Sequence, residues 1–164
     1  MLSSQRAVTN YPLVRWKRLT LLAWLAFALT ANAGSAKVIK VLPHFLDLKG
    51  RTAVNPSLFD RDAYQNELRK DSSKRSALRF DVQWKAPYYD YDALTLRIEA
   101  RGMKGRVPTT NMMERPLRLS GTFSHWTALK ISGEAYENFG ELISWRATLI
   151  SGTNVVAEQK SFLW

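Results

Sequence analysis

The chain has 164 residues, with 24 Lys and Arg against 14 Asp and Glu, two histidines and no cysteine. That length favours a single domain. The lack of cysteine excludes disulfides, thiolate metal sites and a cysteine nucleophile. A hydrophobic content of 46% excludes a disordered chain, since the apolar residues are spread evenly along the sequence.

The first 33 residues have the three parts of a secretory signal. Basic residues at positions 6, 15, 17 and 18 precede an apolar run over residues 19–29, and Ala31 and Ala33 then form an A-x-A site. An uncleaved anchor is the alternative, but a spanning helix needs about 20 apolar residues and this run has about half of that. We therefore predict cleavage after Ala33, or after Ala36 as second choice.

Signal cleavage leaves a single domain over residues 34–164 in the periplasm or outside the cell. Four of the 24 basic residues and none of the acidic ones lie in the signal, so the net charge falls from +10 to +6. A moderately basic exported domain suits an envelope protein, a glycan or an anionic surface as partner, and export argues against nucleic acid. No transmembrane span is expected after cleavage, and the oligomeric state is left open.

The mature chain begins with a strand region and one helix. Pro43 interrupts the apolar stretch of residues 38–48, which favours an edge strand or a bulge. Apolar spacing near one turn predicts a helix over residues 61–70, capped by Asp60. A helix of that length needs tertiary packing, and we expect the following residues to pack it onto a sheet: Leu58, Tyr64 and Leu68.

Strict alternation of apolar and polar residues then predicts two strands, around residues 78–85 and 94–101. Each strand has one buried and one exposed face. The remaining predicted elements are, in chain order, a basic loop between Gly102 and Gly105, weak strands at 117–123 and 126–131, a turn-rich connection at 133–140, a central strand at 142–150, a hairpin turn at 151–154 and a final strand at 155–164.

About seven strands at this spacing, with one inserted short helix, predict an all-β fold. We expect an immunoglobulin- or fibronectin-III-like antiparallel β-sandwich, because most connections are too short for parallel crossovers. The predicted core contains these residues: Leu78, Phe80, Val82, Trp84, Leu94, Leu96, Ile98, Trp145 and Phe162.

Three stretches carry a resemblance. VLPHFLDLKGR at residues 41–51, LRFDVQW at 78–84 and EQKSFLW at 158–164 resemble an uncharacterised group of exported bacterial β-sandwich-like proteins. The resemblance covers most of the mature chain and implies export and a sandwich. It implies no activity and transfers no functional residue.

The sequence gives little support for a metal site or for a serine hydrolase. His44 and His125 could join Met103, Met112 or Met113 in a copper site, but no pair has ligand-like spacing. A G-x-S-x-G nucleophile motif is absent. We therefore predict no catalytic, cofactor-binding or metal-ligating residue and no cofactor.

Paired carboxylates are the remaining route to catalysis. Glu134, Glu137 and Glu141 cluster around two glycines, and Asp90 and Asp92 lie among tyrosines. Each set is also explained as polar residues of loops at strand ends. The alternative function is thus a small glycan-active hydrolase that uses Asp90 or Glu137 as an acid.

Two groups of residues are candidates for binding a partner. Tyr88, Tyr89, Asp90 and Tyr91 form one loop, whose rings can stack on a sugar or contact a protein, or else cover the core. Basic residues including Lys74 and Arg75 gather after the helix, where they either attract an anionic partner or stabilise the helix dipole.

The leading prediction is an exported, non-catalytic binding or assembly module of the bacterial cell envelope. Such domains carry function on loops held by a rigid sheet. A minority alternative is an outer-membrane β-barrel, suggested by the aromatic Trp164 after an apolar strand. In that case Glu158 and Lys160 would face lipid at a cost of up to about 2–4 kcal/mol each, which disfavours the barrel.

Overall fold

The computed structural model describes residues 36–87, 91, 93–118 and 123–164. In this part of the chain a single 3-10 turn, Ser72–Lys74, links the first helix to the second strand. The elements are, in chain order, β1 (Lys37–Asp47), α1 (Leu58–Lys70), β2 (Arg75–Lys85), β3 (Leu94–Lys104), β4 (Val107–Leu117), β5 (His125–Ser132), α2 (Glu134–Phe139), β6 (Glu141–Ser151) and β7 (Asn154–Lys160).

The strands form two antiparallel sheets, which confirms the predicted all-β sandwich. One sheet has the order β1-β2-β5, and the other has the order β4-β3-β6-β7. In constant-type immunoglobulin domains the fourth strand joins the sheet of the first, second and fifth strands, whereas here β4 pairs with β3. Membership of the immunoglobulin or fibronectin-III class stays a prediction.

The core lies between the sheets and follows the predicted alternation. The inward residues of β2 and β3 are at most 2% exposed: Leu78, Phe80, Val82, Trp84, Leu94, Leu96, Ile98 and Ala100. Trp145 is partly buried against them. The prediction for Phe162 was wrong, because β7 ends at Lys160 and a turn leaves Phe162 100% exposed.

Helix α1 begins three residues earlier than predicted, and Ser57 is its N-cap rather than Asp60. The Ser57 hydroxyl accepts a hydrogen bond from the backbone amide of Asp60 at 3.4 Å. Asp60 instead lies in the first turn, where a carboxylate favours the helix dipole. Leu68 is fully buried as expected, but Leu58 is 67% exposed, so its predicted packing was wrong.

Gln65 fastens α1 to the edge strand β1. Its side-chain oxygen accepts from the Phe45 amide at 2.8 Å, and its side-chain nitrogen donates to the carbonyls of Phe45 at 2.9 Å and Thr52 at 2.7 Å. The amide group thus pairs with β1 as a neighbouring strand would. This contact protects that stretch of the edge.

Helix α2 occupies the segment that the sequence predicted as a turn-rich connection. Phe139 on α2 enters the core and is 2% exposed. Gly140 follows with a φ of +77°, and a Cβ there would lie 2.2 Å from the carbonyl oxygen of Met103. Only glycine therefore allows α2 to pack this closely on the end of β3.

Strand β4 was not predicted, and the segment that the sequence assigned to a basic loop is a two-residue hairpin turn at Gly105 and Arg106. Strand β4 ends at Leu117, and the weak strand predicted at 117–123 falls mostly on residues 119–122, which lie outside the described residues. The predicted signal, residues 1–33, also lies outside them. No helix in the described part of the chain is long and apolar enough to cross a membrane.

Candidate binding surfaces

One concavity is a trough of about 710 Å³ on the side of the sandwich where β4 and β5, the edge strands of the two sheets, approach each other. We call it the seam trough. Its lining residues are Leu46, Gly50, Arg79, Met113, Glu114, Arg115, Ala128, Leu129 and Lys130. It is therefore built by three strands from one sheet, one strand from the other and the turn after β1.

The free edge of β4 offers few backbone donors. Lys104 and Val107 flank a two-residue turn and so exchange backbone hydrogen bonds, after which bonded and non-bonded pairs alternate along the hairpin. Pro108 and Pro116 fall at non-bonded positions, where an amide would point to the free edge. The remaining edge amides belong to the residues between them: Thr110, Met112 and Glu114.

Arg115 connects the two edges across the seam trough. Its Nη1 donates to the backbone carbonyl of Ala128 on β5 at 3.1 Å. That carbonyl therefore points away from β2, toward the open side. The arginine occupies an acceptor that a further strand would otherwise use.

The trough carries uncompensated positive charge. The carboxylate of Glu114 is bound by Arg97 at 2.5 Å, and Arg79 is bound by Asp81. Among the residues that the structure describes, no carboxylate lies within ion-pair distance of Arg115 or Lys130. An anionic ligand would meet these two cations first.

Asp81 links two neighbours of the trough on the outer face of the first sheet. It accepts from Arg79 at 2.6 and 2.8 Å and contacts the Nδ1 of His44 at 3.3 Å. Burial raises the pKa of the Asp81 carboxyl, but the hydrogen bonds of His44 and Arg79 outweigh burial and lower it. Asp81 is therefore a fixed anion that balances Arg79.

Of the four residues of the tyrosine loop, Tyr91 lies among the described residues. Tyr91 packs against the core, and its hydroxyl accepts from the Ala36 amide at 3.5 Å. Tyr91 therefore covers the core, which was the alternative to a binding role for this loop. Tyr88, Tyr89 and Asp90 lie outside the described residues, so their binding role stays a prediction.

Lys74 and Arg75 are adjacent in sequence but lie in different environments. Lys74 is half-exposed and pairs with Glu67 at 2.5 Å, which raises its pKa. The Arg75 side chain is 2% exposed, and its guanidinium stacks 4.2 Å from the centre of the Phe45 ring. Arg75 is thus enclosed within the fold.

All three nitrogens of the Arg75 guanidinium donate to internal partners. It donates to the carbonyls of Leu68 and Arg69 at the end of α1, and Nη1 donates to both oxygens of Glu141 at 2.7 and 2.9 Å. It therefore caps α1 and joins it to β6. Of the predicted basic pair, only Lys74 is presented to an outside partner.

The carboxylates predicted for hydrolysis are partly brought together. Glu137 and Glu141 line one groove of about 610 Å³ beside Tyr136 and Arg75, whereas Glu134 is exposed on α2 outside this lining. Glu141 is held by Arg75, whereas Glu137 makes no ion pair with any residue that the structure describes. Asp90 and Asp92 lie outside the described residues.

The two histidines lie on opposite faces of the first sheet. His44 lies opposite Arg79 in the strand register and faces outward. His125 lies opposite Trp84 and faces inward, and the centres of the His125 and Trp84 rings are 5.1 Å apart. In the described ranges, no group of three or more His, Asp or Glu residues is arranged to hold a metal ion.

Comparisons of the chain with protein-family models, with curated proteins and with solved structures found no match.

Proposed function

We propose that this chain is an exported, non-catalytic binding module of the bacterial cell envelope and that the seam trough holds its partner. The observation that carries the proposal is the trough itself, in which two uncompensated cations lie between two open strand edges. The signal-like first 33 residues and the resemblance to an exported group support the location.

The trough has the composition of a binding groove for an extended, acidic segment of a protein. Three of its lining residues are apolar and shielded from water: Leu46 and Leu129 are 6% and 7% exposed, and Met113 packs against the core. Arg115 and Lys130 supply the charge that selects carboxylates. The edge of β5 supplies backbone groups, so that a partner segment can add as a further strand once Arg115 releases Ala128.

The test compares baits in a pull-down from envelope extract. The first variant is Arg115→Gln/Lys130→Gln, and the matched control is Lys37→Gln/Lys85→Gln, which removes two exposed charges from the other end of the β1–β2 pair. A partner of the trough is captured by wild type and by the control but not by the first variant. Its capture also weakens at high salt, since exposed charges are screened within about 8–10 Å.

Two results would contradict this assignment. Equal capture by all three baits removes the trough as the binding site. Loss of capture in a Tyr88→Ala/Tyr89→Ala bait, which leaves the core contact of Tyr91 in place, with full capture by the trough variant, moves the site to the tyrosine loop.

The groove beside α2 favours one second candidate, a small glycan-active hydrolase. Glu137 would act as the acid there, next to the Arg75–Glu141 pair. The test is release of reducing ends from envelope glycans by wild type and by Glu137→Gln. Release by wild type that Glu137→Gln abolishes would replace the binding module with an enzyme, and no release by wild type removes the enzyme.

A further inference from the structure

The residues after β7 form a turn that is held rigidly at both ends. Ser161 donates its amide to the Trp145 carbonyl at 2.9 Å, and its hydroxyl accepts from the Trp145 amide at 3.0 Å. The Trp164 amide donates to the Ser161 carbonyl at 3.2 Å and closes the turn. We call residues 161–164 the Phe162 turn.

The ring of Trp164 anchors the other end of this turn. It lies on the outer face of the second sheet, 3.8 Å from the guanidinium of Arg101 and 5.0 Å from that of Arg146. Stacking of arginine on an indole face is favourable. The turn is therefore fixed to β6 on one side and to β3 on the other.

The centre of the Phe162 turn has an unusual composition for such a position. Turn centres favour Gly, Pro, Asn, Asp and Ser, whereas this one presents Phe162 at 100% and Leu163 at 66% exposure. Two large apolar side chains held in water by a fixed backbone cost free energy unless something covers them. They form a pre-organised apolar contact.

Positive charge surrounds this apolar pair. Lys160 directly precedes the turn and Arg101 lies beneath Trp164, and both are exposed. Within the described residues neither makes an ion pair, whereas Arg146 is balanced by Glu99 at 2.6 Å and by Glu158 at 3.8 Å. The surface thus joins apolar tips to two free cations.

We propose that the Phe162 turn binds an anionic lipid bilayer. Phe162 and Leu163 enter the boundary between headgroups and acyl chains, Trp164 lies at the headgroup level, where tryptophan is enriched, and Lys160 and Arg101 contact lipid phosphates. Apolar insertion and charge act together, as stable membrane attachment requires two such signals. This surface goes beyond the proposed function, because it is separate from the seam trough.

The test is co-sedimentation with vesicles. The chain from residue 34 onward is used, because it forms one unit with its own core and lacks the apolar run at 19–29, which would itself bind lipid. Wild type is expected to bind vesicles of equal parts phosphatidylglycerol and phosphatidylcholine more tightly than vesicles of phosphatidylcholine alone. Phe162→Ser/Leu163→Ser is expected to weaken binding at least about tenfold.

Matched controls separate this surface from general stickiness. Val155→Ser removes a 60% exposed apolar side chain at the opposite end of β7 and should bind as wild type does. Lys160→Glu should weaken binding to the anionic vesicles only, and Lys85→Glu should weaken it less. Thermal unfolding confirms that each variant is folded, as is expected for exposed positions.

Two outcomes overturn the proposal. If wild type stays in the supernatant when the anionic vesicles are pelleted, the Phe162 turn does not bind a membrane. A protein captured through Phe162 and Leu163 would then be the occupant. A serine double variant that binds vesicles as wild type does would place any membrane contact elsewhere on the molecule.

Discussion

Asp47 organises the turn that follows β1. Its carboxylate accepts from the amides of Lys49 and Arg51 and from the Arg51 Nε, each at 2.8 Å, and from the Tyr64 hydroxyl at 2.9 Å. One side chain therefore closes the turn and attaches α1 to β1. Burial raises the pKa of Asp47, but these hydrogen bonds outweigh burial and lower it to about 2.

We predict that Asp47→Asn destabilises the fold at neutral pH but not in acid. The unfolded carboxyl titrates near 3.8 and the folded one near 2, so the contribution is complete above pH 4 and is lost as the pH falls toward 2. Such a shift corresponds to about 2 kcal/mol. Urea unfolding of both proteins across this range measures it, and a difference that stays constant down to pH 2 would contradict it.

Arg75 shows which part of a site the sequence could not reveal. The sequence grouped it with Lys74 because the two cations are adjacent. Its acceptors are two backbone carbonyls and Glu141, which lies 66 positions away, and neither leaves a local signal. Lys74 has local partners instead, since Glu67 and Asp71 lie within one or two turns of it, and its role in binding a partner stays a prediction.

We predict that Arg75→Lys costs about 2–4 kcal/mol of stability. A lysine cannot serve two carbonyls and a carboxylate from one planar group, so the end of α1 loses its cap. Chemical unfolding followed by circular dichroism measures the loss. Lys74→Gln is the matched control and should destabilise less, and an Arg75→Lys protein as stable as this control would refute the role.

Strand β4 was not predicted from the sequence, because polar residues occupy part of its inward face. Thr109 and Asn111 lie on the face of β4 that points toward α2 and the interior of the sandwich. The segment therefore lacks the apolar alternation of β2 and β3. Pro108 and Pro116 also argue against a strand in general, yet an edge strand tolerates proline where no ladder bond is made. The seam trough was missed with β4, since its residues come from four strands and the turn after β1.

We predict that Pro108→Thr/Pro116→Thr promotes self-association without loss of stability. The change restores two amides to the free edge of β4, which then pairs more readily with another edge. The expected stability change is within about 1 kcal/mol, because both prolines are exposed. Sedimentation velocity should show a larger species.

Addition of Met112→Lys to this variant is the control. A lysine at the centre of the edge opposes pairing between copies, so the triple variant should return to the size of wild type. If the double variant sediments as wild type does, the prolines do not protect this edge.

At the scale of the molecule, the alternating patterns of β2 and β3 carried most of the fold prediction. These strands lie in different sheets, and their inward faces meet across the core, so two correct strands defined both layers. The same reasoning failed at Phe162, because alternation cannot show where a strand ends. Helix α2 was not predicted for a related reason, since it is six residues long and depends on two glycines with positive φ.

Substitution of Trp84 tests how far the stability of the whole fold depends on the core between the sheets. Its side chain is 2% exposed, and its Nε1 donates to the Thr127 hydroxyl on β5 at 2.9 Å. Trp84→Ala would leave a cavity and cost about 3–5 kcal/mol. A domain of this size has about 5–15 kcal/mol in total, so the variant should unfold at a much lower urea concentration.

The unfolding transition should also move as a unit. Both sheets share one core, and far-ultraviolet circular dichroism and tryptophan fluorescence should therefore report one midpoint for Trp84→Ala. Trp126→Ala is the control, because Trp126 is 53% exposed on the outer face of β5, and its cost should stay within about 0.5 kcal/mol. If both alanine variants have the same midpoint, Trp84 contributes no more to stability than the exposed Trp126, and its place in the core is contradicted.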